Sequence, residues 1–122
     1  MPQKMDAPLG SVQKTLFLPL WGRGVETGKK NPLLTDKTAL EVLERVDYDF
    51  SKIALNIHPL TQLAWIMRGI YTDSVIQAYL KKFPAGTIVN LGCGLDTSFE
   101  RNDNGLLTWY ELDLPDVIEL RK

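Results

Sequence analysis

The segment from Thr87 to Asp113 constrains the fold of this chain more than any other part of the sequence. Its first five residues, Thr87-Ile88-Val89-Asn90-Leu91, are apolar and rich in β-branched side chains, which predicts a short buried strand. Gly92-Cys93-Gly94 follows, and glycine at these positions lets the backbone bend sharply and approach another molecule closely. The strand is therefore expected to end in a tight turn.

A second strand is expected shortly afterwards. Residues 96–101 predict a short helix, the polar run at 102–105 predicts a turn, and residues 107–112 form another apolar stretch that ends at Asp113. Pro115 is suited to the first position of a further helix. Strands that alternate with helices are typical of an α/β fold with a parallel sheet.

The acidic end of the second strand indicates a binding site. Asp113 lies 21 residues after Gly92, and nucleotide-binding folds place an acidic residue about 20 positions after the glycine turn to hold ribose hydroxyls. A carboxylate can accept hydrogen bonds from both hydroxyls of a cis-diol. Ligands of open α/β sheets also bind at the carboxyl ends of the strands. We therefore expect Gly92, Gly94 and Asp113 to contact a nucleoside.

Two alternatives to this interpretation stay open. A dinucleotide site normally has Gly-x-Gly-x-x-Gly, and Thr97 stands where the third glycine would be, which disfavours an NAD-binding oxidoreductase fragment. A nucleoside ligand without a phosphate, such as S-adenosylmethionine, does not need that third glycine. The other alternative is a purely structural turn in an ordinary α/β domain.

The residues before this segment predict helices. Residues 1–11 are expected to form a tail, and residues 22–34, rich in Gly, Lys and Asn, a loop. Thr35 or Asp36 can cap a helix that ends near residues 47–49.

A longer helix is expected from Pro59 to Lys82, with lysines in its last turn opposing the negative end of the helix dipole. The Pro-Ala-Gly run at residues 84–86 ends it. We therefore divide the chain into a tail and helical segment, residues 1–86, and the start of a Rossmann-like core, residues 87–122.

Composition excludes several classes of protein. The net charge is −1 and no basic stripe is present, which argues against a nucleic-acid partner. No apolar run is long enough to cross a membrane. One cysteine allows no internal disulfide, and one cysteine with one histidine does not make the usual zinc site. We expect a cytoplasmic protein without a metal.

The motif itself resembles a known family. Residues 89–97, Val-Asn-Leu-Gly-Cys-Gly-Leu-Asp-Thr, resemble the glycine motif of the leucine carboxyl methyltransferase family, whose bacterial branch includes tetracenomycin-type polyketide O-methyltransferases. Four further features resemble that family: Phe99 with Arg101, the run Trp109 to Pro115, the segment Val12 to Thr15, and Met67-Arg68. Ser98 and Glu100 depart from the bacterial pattern.

The resemblance implies roles for the matched residues. Lys14 and Arg68 would hold the carboxylate in the methionine part of S-adenosylmethionine, since arginine offers a planar fork and lysine a point charge. Gly92, with Gly94, would line the methionine and ribose region, and Asp113 would hold the ribose. Without the resemblance, Lys14 and Arg68 could equally well be interpreted as ordinary solvated side chains with no role in binding. We assign no catalytic residue.

The resemblance also implies the fold and the activity. The fold would be the N-terminal helices and first two strands of a class I S-adenosylmethionine-dependent methyltransferase, and such a fold needs more strands, so a truncated chain is expected. The reaction would transfer a methyl group to a carboxylate or hydroxyl oxygen of a small molecule such as a polyketide. A homodimer, or pairing with a missing C-terminal half, is a further expectation. The alternative is a non-catalytic remnant or dimerisation module.

Overall fold

The computed structural model describes residues 15–46 and 49–122. Within these residues it has an α/β architecture of six helices and two parallel strands. In chain order the elements are α1 (Phe17–Thr27), α2 (Lys37–Arg45), α3 (Ser51–Ala54), α4 (Pro59–Lys82), β1 (Thr87–Leu91), α5 (Ser98–Asn102), β2 (Thr108–Leu112) and α6 (Pro115–Arg121). No helix in the described part of the chain is long and apolar enough to span a membrane.

The chain divides into two compact units, Met1–Arg68 and Gly69–Lys122. The N-terminal turns of α4 belong to the first unit and the remaining turns to the second. The division at residues 86 and 87, where helices give way to strands, stays a prediction.

Helix α1 corrects the prediction of a loop that starts at residue 22. The helix continues to Thr27, although it contains two glycines, which weaken isolated helices. Close packing explains both of them. A Cβ on Gly22 would lie 2.8 Å from Trp65 Cε3, and a Cβ on Gly24 would lie 2.5 Å from Leu43 Cδ1. Tertiary contacts, and not turn formation, therefore favour glycine at these two positions.

Asp36 joins α1 to the start of α2. Its Oδ1 accepts the Ala39 N–H at 2.9 Å, which makes Asp36 the helix cap and decides between the two cap candidates. Its Oδ2 accepts from Arg23 Nε, also at 2.9 Å, and both side chains are buried. The backbone N–H of Asp36 donates to Thr27 Oγ1 at 2.8 Å.

Glu26 holds the segment that follows α1. One of its carboxylate oxygens pairs with Lys29 Nζ at 2.7 Å, and the other accepts the Leu33 N–H at 2.9 Å. These hydrogen bonds hold the pKa of Glu26 below its ordinary value. The contacts of Glu26 with Lys29 and Leu33 therefore contribute stability at neutral pH, and this stability is lost as the pH falls through the lowered pKa of Glu26.

Helix α4 has the bounds that the sequence predicted, Pro59–Lys82. His58 precedes it, and His58 Nδ1 accepts the Leu60 N–H at 3.1 Å, a contact at the start of the helix. The short helix α3 before it was not predicted.

The two strands of the second unit run parallel, with Thr87 opposite Thr108 and Leu91 opposite Leu112. This confirms the strand predictions. Burial, however, alternates along both strands. One face exposes Val89, Leu91, Tyr110 and Leu112, of which Leu91 is 78% exposed. The expectation of a buried strand is therefore wrong for this face, and the opposite face is only partly buried, because a two-stranded sheet has few elements to cover it.

A polar network ties α4 to α5 inside the second unit. Arg101 donates from Nε and Nη2 to the two carboxylate oxygens of Asp73, at 2.8 and 3.1 Å. Asn102 Nδ2 donates to Asp73 Oδ1 at 3.0 Å, and Arg101 Nη1 donates to Thr97 Oγ1 at 2.7 Å. Helix α5 begins at Ser98, two residues later than predicted.

Candidate functional site

The turn after β1 has a backbone that favours glycine. Gly92 has a φ of +62° and Gly94 a φ of +51°, a region in which side chains with a Cβ are strained. A Cβ built on Gly92 would meet no atom of the described residues within 4 Å, apart from its chain neighbours. The turn therefore faces open space at the carboxyl end of the strand.

Asp113 contacts the same turn through Gly94. Its Oδ2 accepts the Gly94 N–H at 2.7 Å, and its Oδ1 accepts the Leu114 N–H at 2.7 Å. Each oxygen of an ionised carboxylate can accept about two hydrogen bonds, so each retains capacity for one more. The structure thus brings the predicted residues Gly92, Gly94 and Asp113 together, although Asp113 lies 21 residues after Gly92 in the sequence. The two carboxylate oxygens of Asp113 are the hydrogen-bond acceptors beside the turn.

The other two predicted cofactor residues are placed differently. Arg68 is an exposed residue of α4 at the end of the first compact unit. Lys14 lies outside the described residues. Their cofactor role stays a prediction.

Cys93 belongs to the turn but has the properties of a packing residue. Its backbone N–H donates to the Leu112 carbonyl at 3.1 Å, which extends the β1–β2 ladder by one bond. Its side chain is buried, and burial raises the pKa of the thiol to about 11. A thiol with such a pKa is protonated at neutral pH and is a poor nucleophile.

The segment between the turn and α5 is held by side chains of its own. Asp96 Oδ2 accepts from Asn90 Nδ2 and its Oδ1 accepts from Ser98 Oγ, both at 2.9 Å. The residue at the N-terminal cap position of α5 is Thr97. Thr97 is buried in the position where a dinucleotide motif would have its third glycine.

Sequence reasoning missed Arg121 and Glu111. Arg121 Nη1 donates to the Gly94 and Asp96 carbonyls, both at 2.9 Å, and Nη2 donates to Glu111 Oε1 at 3.1 Å. The only signal in the sequence was a basic residue at the end of a short helix. That signal is also typical of a side chain that simply opposes the helix dipole.

Metal ligands do not cluster in the described ranges 15–46 and 49–122. No group of three or more His, Cys, Asp or Glu residues there could hold a metal ion.

Comparison with known proteins gives two curated relatives. The chain is 34% identical over 114 residues to the tetracenomycin polyketide synthesis O-methyltransferase TcmP of Streptomyces glaucescens, an alignment that covers 93% of this chain and 42% of that protein. It is 28% identical over 128 residues to the S-adenosyl-L-methionine-dependent methyltransferase dpfgK of Gibberella zeae, covering 98% of this chain and 43% of that protein. The chain thus spans less than half the length of either relative.

No solved structure matches this chain. The family model for leucine carboxyl methyltransferases matches residues 18–122, which contain both strands, the glycine turn and Asp113. The chain therefore belongs to the leucine carboxyl methyltransferase family, and its α/β arrangement is part of the S-adenosylmethionine-dependent methyltransferase fold.

Proposed function

We propose that this chain supplies the S-adenosylmethionine-binding part of an O-methyltransferase that acts on a carboxylate or hydroxyl oxygen of a small molecule. The observation that carries the proposal is the pairing of an open turn at Gly92 with the Asp113 carboxylate, at the carboxyl ends of two parallel strands. Both relatives are named as methyltransferases, which supports the same function.

The residues present fit this cofactor. Asp113 has one acceptor position left on each carboxylate oxygen, which suits the two hydroxyls of a ribose. Gly92 leaves space beside it. Arg68 and Lys14 would hold the carboxylate of the methionine part, because a guanidinium and an ammonium group complement that charge.

The bound cofactor would supply a sulfonium methyl group, whose carbon forms a bond to the acceptor oxygen while the carbon–sulfur electron pair stays on sulfur. A carboxylate acceptor is ionised at neutral pH and needs no general base. This chain would then contribute alignment, by fixing the ribose through Asp113. We assign no catalytic residue.

The chemical class of the methyl acceptor is inferred from the relatives and not from the site. The relative from Streptomyces is named for polyketide synthesis, which supports a polyketide or another small carboxylate as the acceptor here. A cytoplasmic location is part of the same proposal and rests on the sequence.

Another polypeptide is proposed to cover the exposed sheet face formed by Val89, Leu91, Tyr110 and Leu112. This would be a second copy of the chain, or the further length that the relatives have. Contiguous apolar surface of this kind typically marks an interface.

The proposal predicts that Asp113→Ala abolishes most cofactor binding. The carboxylate would make two charge-assisted hydrogen bonds to ribose, so its loss should weaken the affinity for S-adenosylhomocysteine roughly a hundredfold or more. Calorimetric titration of the 122-residue chain and its variant measures this directly, with NAD titrated in parallel.

Two control variants make the titration interpretable. Glu119→Gln removes the same charge from an exposed side chain that pairs only with Lys122 among the described residues, and should bind like the parent. Asp113→Asn keeps an acceptor for the Gly94 N–H, so it separates weakened binding from a disordered turn. A parent chain that is folded and binds neither ligand would support the non-catalytic remnant, and binding of NAD alone would overturn the methyltransferase proposal.

A second prediction compares two glycines with a positive φ, Gly92 at +62° and Gly105 at +76°. Apart from the chain neighbours, no atom of the described residues lies within 4 Å of a Cβ built on either glycine. Alanine at either position should therefore cost about 1–2 kcal/mol of stability. Only Gly92→Ala should also weaken S-adenosylhomocysteine binding, because only that Cβ enters the proposed site.

Urea unfolding and calorimetric titration of both variants check this prediction. Equal affinities in Gly92→Ala and Gly105→Ala would show that the open space at Gly92 is not where the ligand lies.

A further inference from the structure

Arg121 makes an unusual set of contacts for a residue in the last turn of a short helix. Its guanidinium donates to two backbone carbonyls of one loop, those of Gly94 and Asp96, and to the Glu111 carboxylate on β2. The side chains of Arg121 and Glu111 are only 17% and 19% exposed. A residue that merely opposed the helix dipole would contact the carbonyls of its own helix.

These contacts set the orientation of the loop backbone. In a trans peptide the C=O and the following N–H point in opposite directions. With the Gly94 and Asp96 carbonyls directed at Arg121, the N–H groups of Leu95 and Thr97 are directed away from it. The guanidinium therefore fixes the orientation of two peptide planes, Gly94–Leu95 and Asp96–Thr97.

The same loop carries the contact on which the cofactor site depends. Gly94 donates its N–H to Asp113 Oδ2 at 2.7 Å while its carbonyl accepts from Arg121 Nη1. Gly94 is thus held from both sides, by a carboxylate on one side and a guanidinium on the other. Because a glycine has more backbone freedom than other residues, loss of either partner should release the turn.

We propose that Arg121 is a positioning residue for the cofactor site, holding the Gly92–Asp96 loop in the conformation that presents Gly92 and Asp113 to the ligand. The proposal rests on the proposed function for the identity of that ligand. Glu111 fixes the plane of the guanidinium from β2. The planar fork is needed because Nη1 serves the two loop carbonyls while Nη2 serves Glu111, whereas the three donors of a lysine ammonium all lie on one nitrogen.

Three variants test the role of Arg121. Arg121→Met removes all of its hydrogen bonds, Arg121→Lys keeps the charge without the fork, and Lys122→Met removes a neighbouring positive charge that pairs only with the exposed Glu119 in the described part of the chain. Affinity for S-adenosylhomocysteine is measured by calorimetry below the melting temperature of each variant. The Gly94 amide proton shift is measured by NMR in the absence of ligand, with Gly105 as the internal control.

We expect Arg121→Met to bind roughly tenfold to a hundredfold more weakly, by analogy with the groups that orient the ligands of a metal ion. Arg121→Lys should recover only part of this loss, and Lys122→Met should stay within about twofold of the parent. The Gly94 amide proton should move in Arg121→Met while that of Gly105 does not. A purely structural Arg121 would lower the melting temperature and leave both the affinity and the Gly94 shift of the folded protein unchanged.

Parent-like affinity and an unmoved Gly94 shift in Arg121→Met would overturn the assignment. If the parent chain itself binds no S-adenosylhomocysteine, the proposed function fails, and the Gly94 shift decides the assignment alone. Movement of that resonance then supports Arg121 as the residue that sets the loop, and its absence overturns it.

Discussion

Asp36→Ala is expected to destabilise the first unit by about 3–5 kcal/mol from the broken ion pair and about 1 kcal/mol from the lost helix cap. Both effects come from one side chain, whose two carboxylate oxygens accept from Arg23 Nε and from the Ala39 N–H. The carboxylate is fully buried, so its removal breaks an ion pair that lies in a poorly hydrated place. Urea unfolding followed by tryptophan fluorescence measures the loss.

Asp36→Asn separates the two contributions. The carboxamide oxygen can still accept the Ala39 N–H, whereas the charge that faces Arg23 is gone. This variant should lose nearly as much stability as Asp36→Ala, and the difference should be about 1 kcal/mol, the value of a cap. Hydrogen exchange at the amides of α2 should become faster in both variants. An Asp36→Asn variant as stable as the parent would show that the ion pair contributes little.

Arg101→Met is expected to destabilise the second unit by about 3–5 kcal/mol, because it leaves the Asp73 carboxylate without its main partner. Arg101 binds both oxygens of that carboxylate, and both side chains are nearly buried. Asn102 is the other residue that donates to Asp73 in the described structure, and one neutral amide cannot replace a bidentate guanidinium. Chemical denaturation of the variant measures the loss.

The double variant Arg101→Met with Asp73→Asn gives the decisive comparison. Neutralising Asp73 removes the unpaired charge, while the oxygen of the new carboxamide can still accept from Asn102. The double variant should therefore be more stable than Arg101→Met alone. A further loss on adding Asp73→Asn would mean that the buried charge is not the source of the destabilisation.

Much of the local structure could be predicted from the sequence. The strands at 87–91 and 108–112, the turn at Gly92 and the long helix Pro59–Lys82 lie where local patterns placed them. The reason is that short apolar runs rich in β-branched residues, glycines at turns and a proline at the first helical position act over a few neighbouring residues. The same holds for Asp36, whose capping contact spans only three residues.

Helix α1 shows where local patterns fail. Its glycines at 22 and 24 predicted a loop, because glycine lowers helix propensity. The structure places Trp65 and Leu43 against them, and these residues are far away in the sequence. Only the packing of one segment on another decides that the backbone stays helical there.

The candidate site likewise contains residues that local patterns predicted and one that they did not. Gly92, Gly94 and Asp113 were predicted because their spacing and residue types are local signs of a nucleoside site, and the structure brings them together. Arg121 was not predicted, because nothing in its neighbourhood distinguishes a residue that opposes the helix dipole from one that reaches back to Gly94.

The sequence by itself thus determined the family, the strand-turn-strand unit and the Asp113 carboxylate at its end, since each rests on residue type and short-range spacing. The tertiary structure alone decided which charges are paired in the interior, Arg23 with Asp36 and Arg101 with Asp73. It also decided that one sheet face stays exposed and that Arg121 holds the glycine loop. Such contacts join residues distant in the chain, so their partners depend on the packing of whole elements and leave no local pattern.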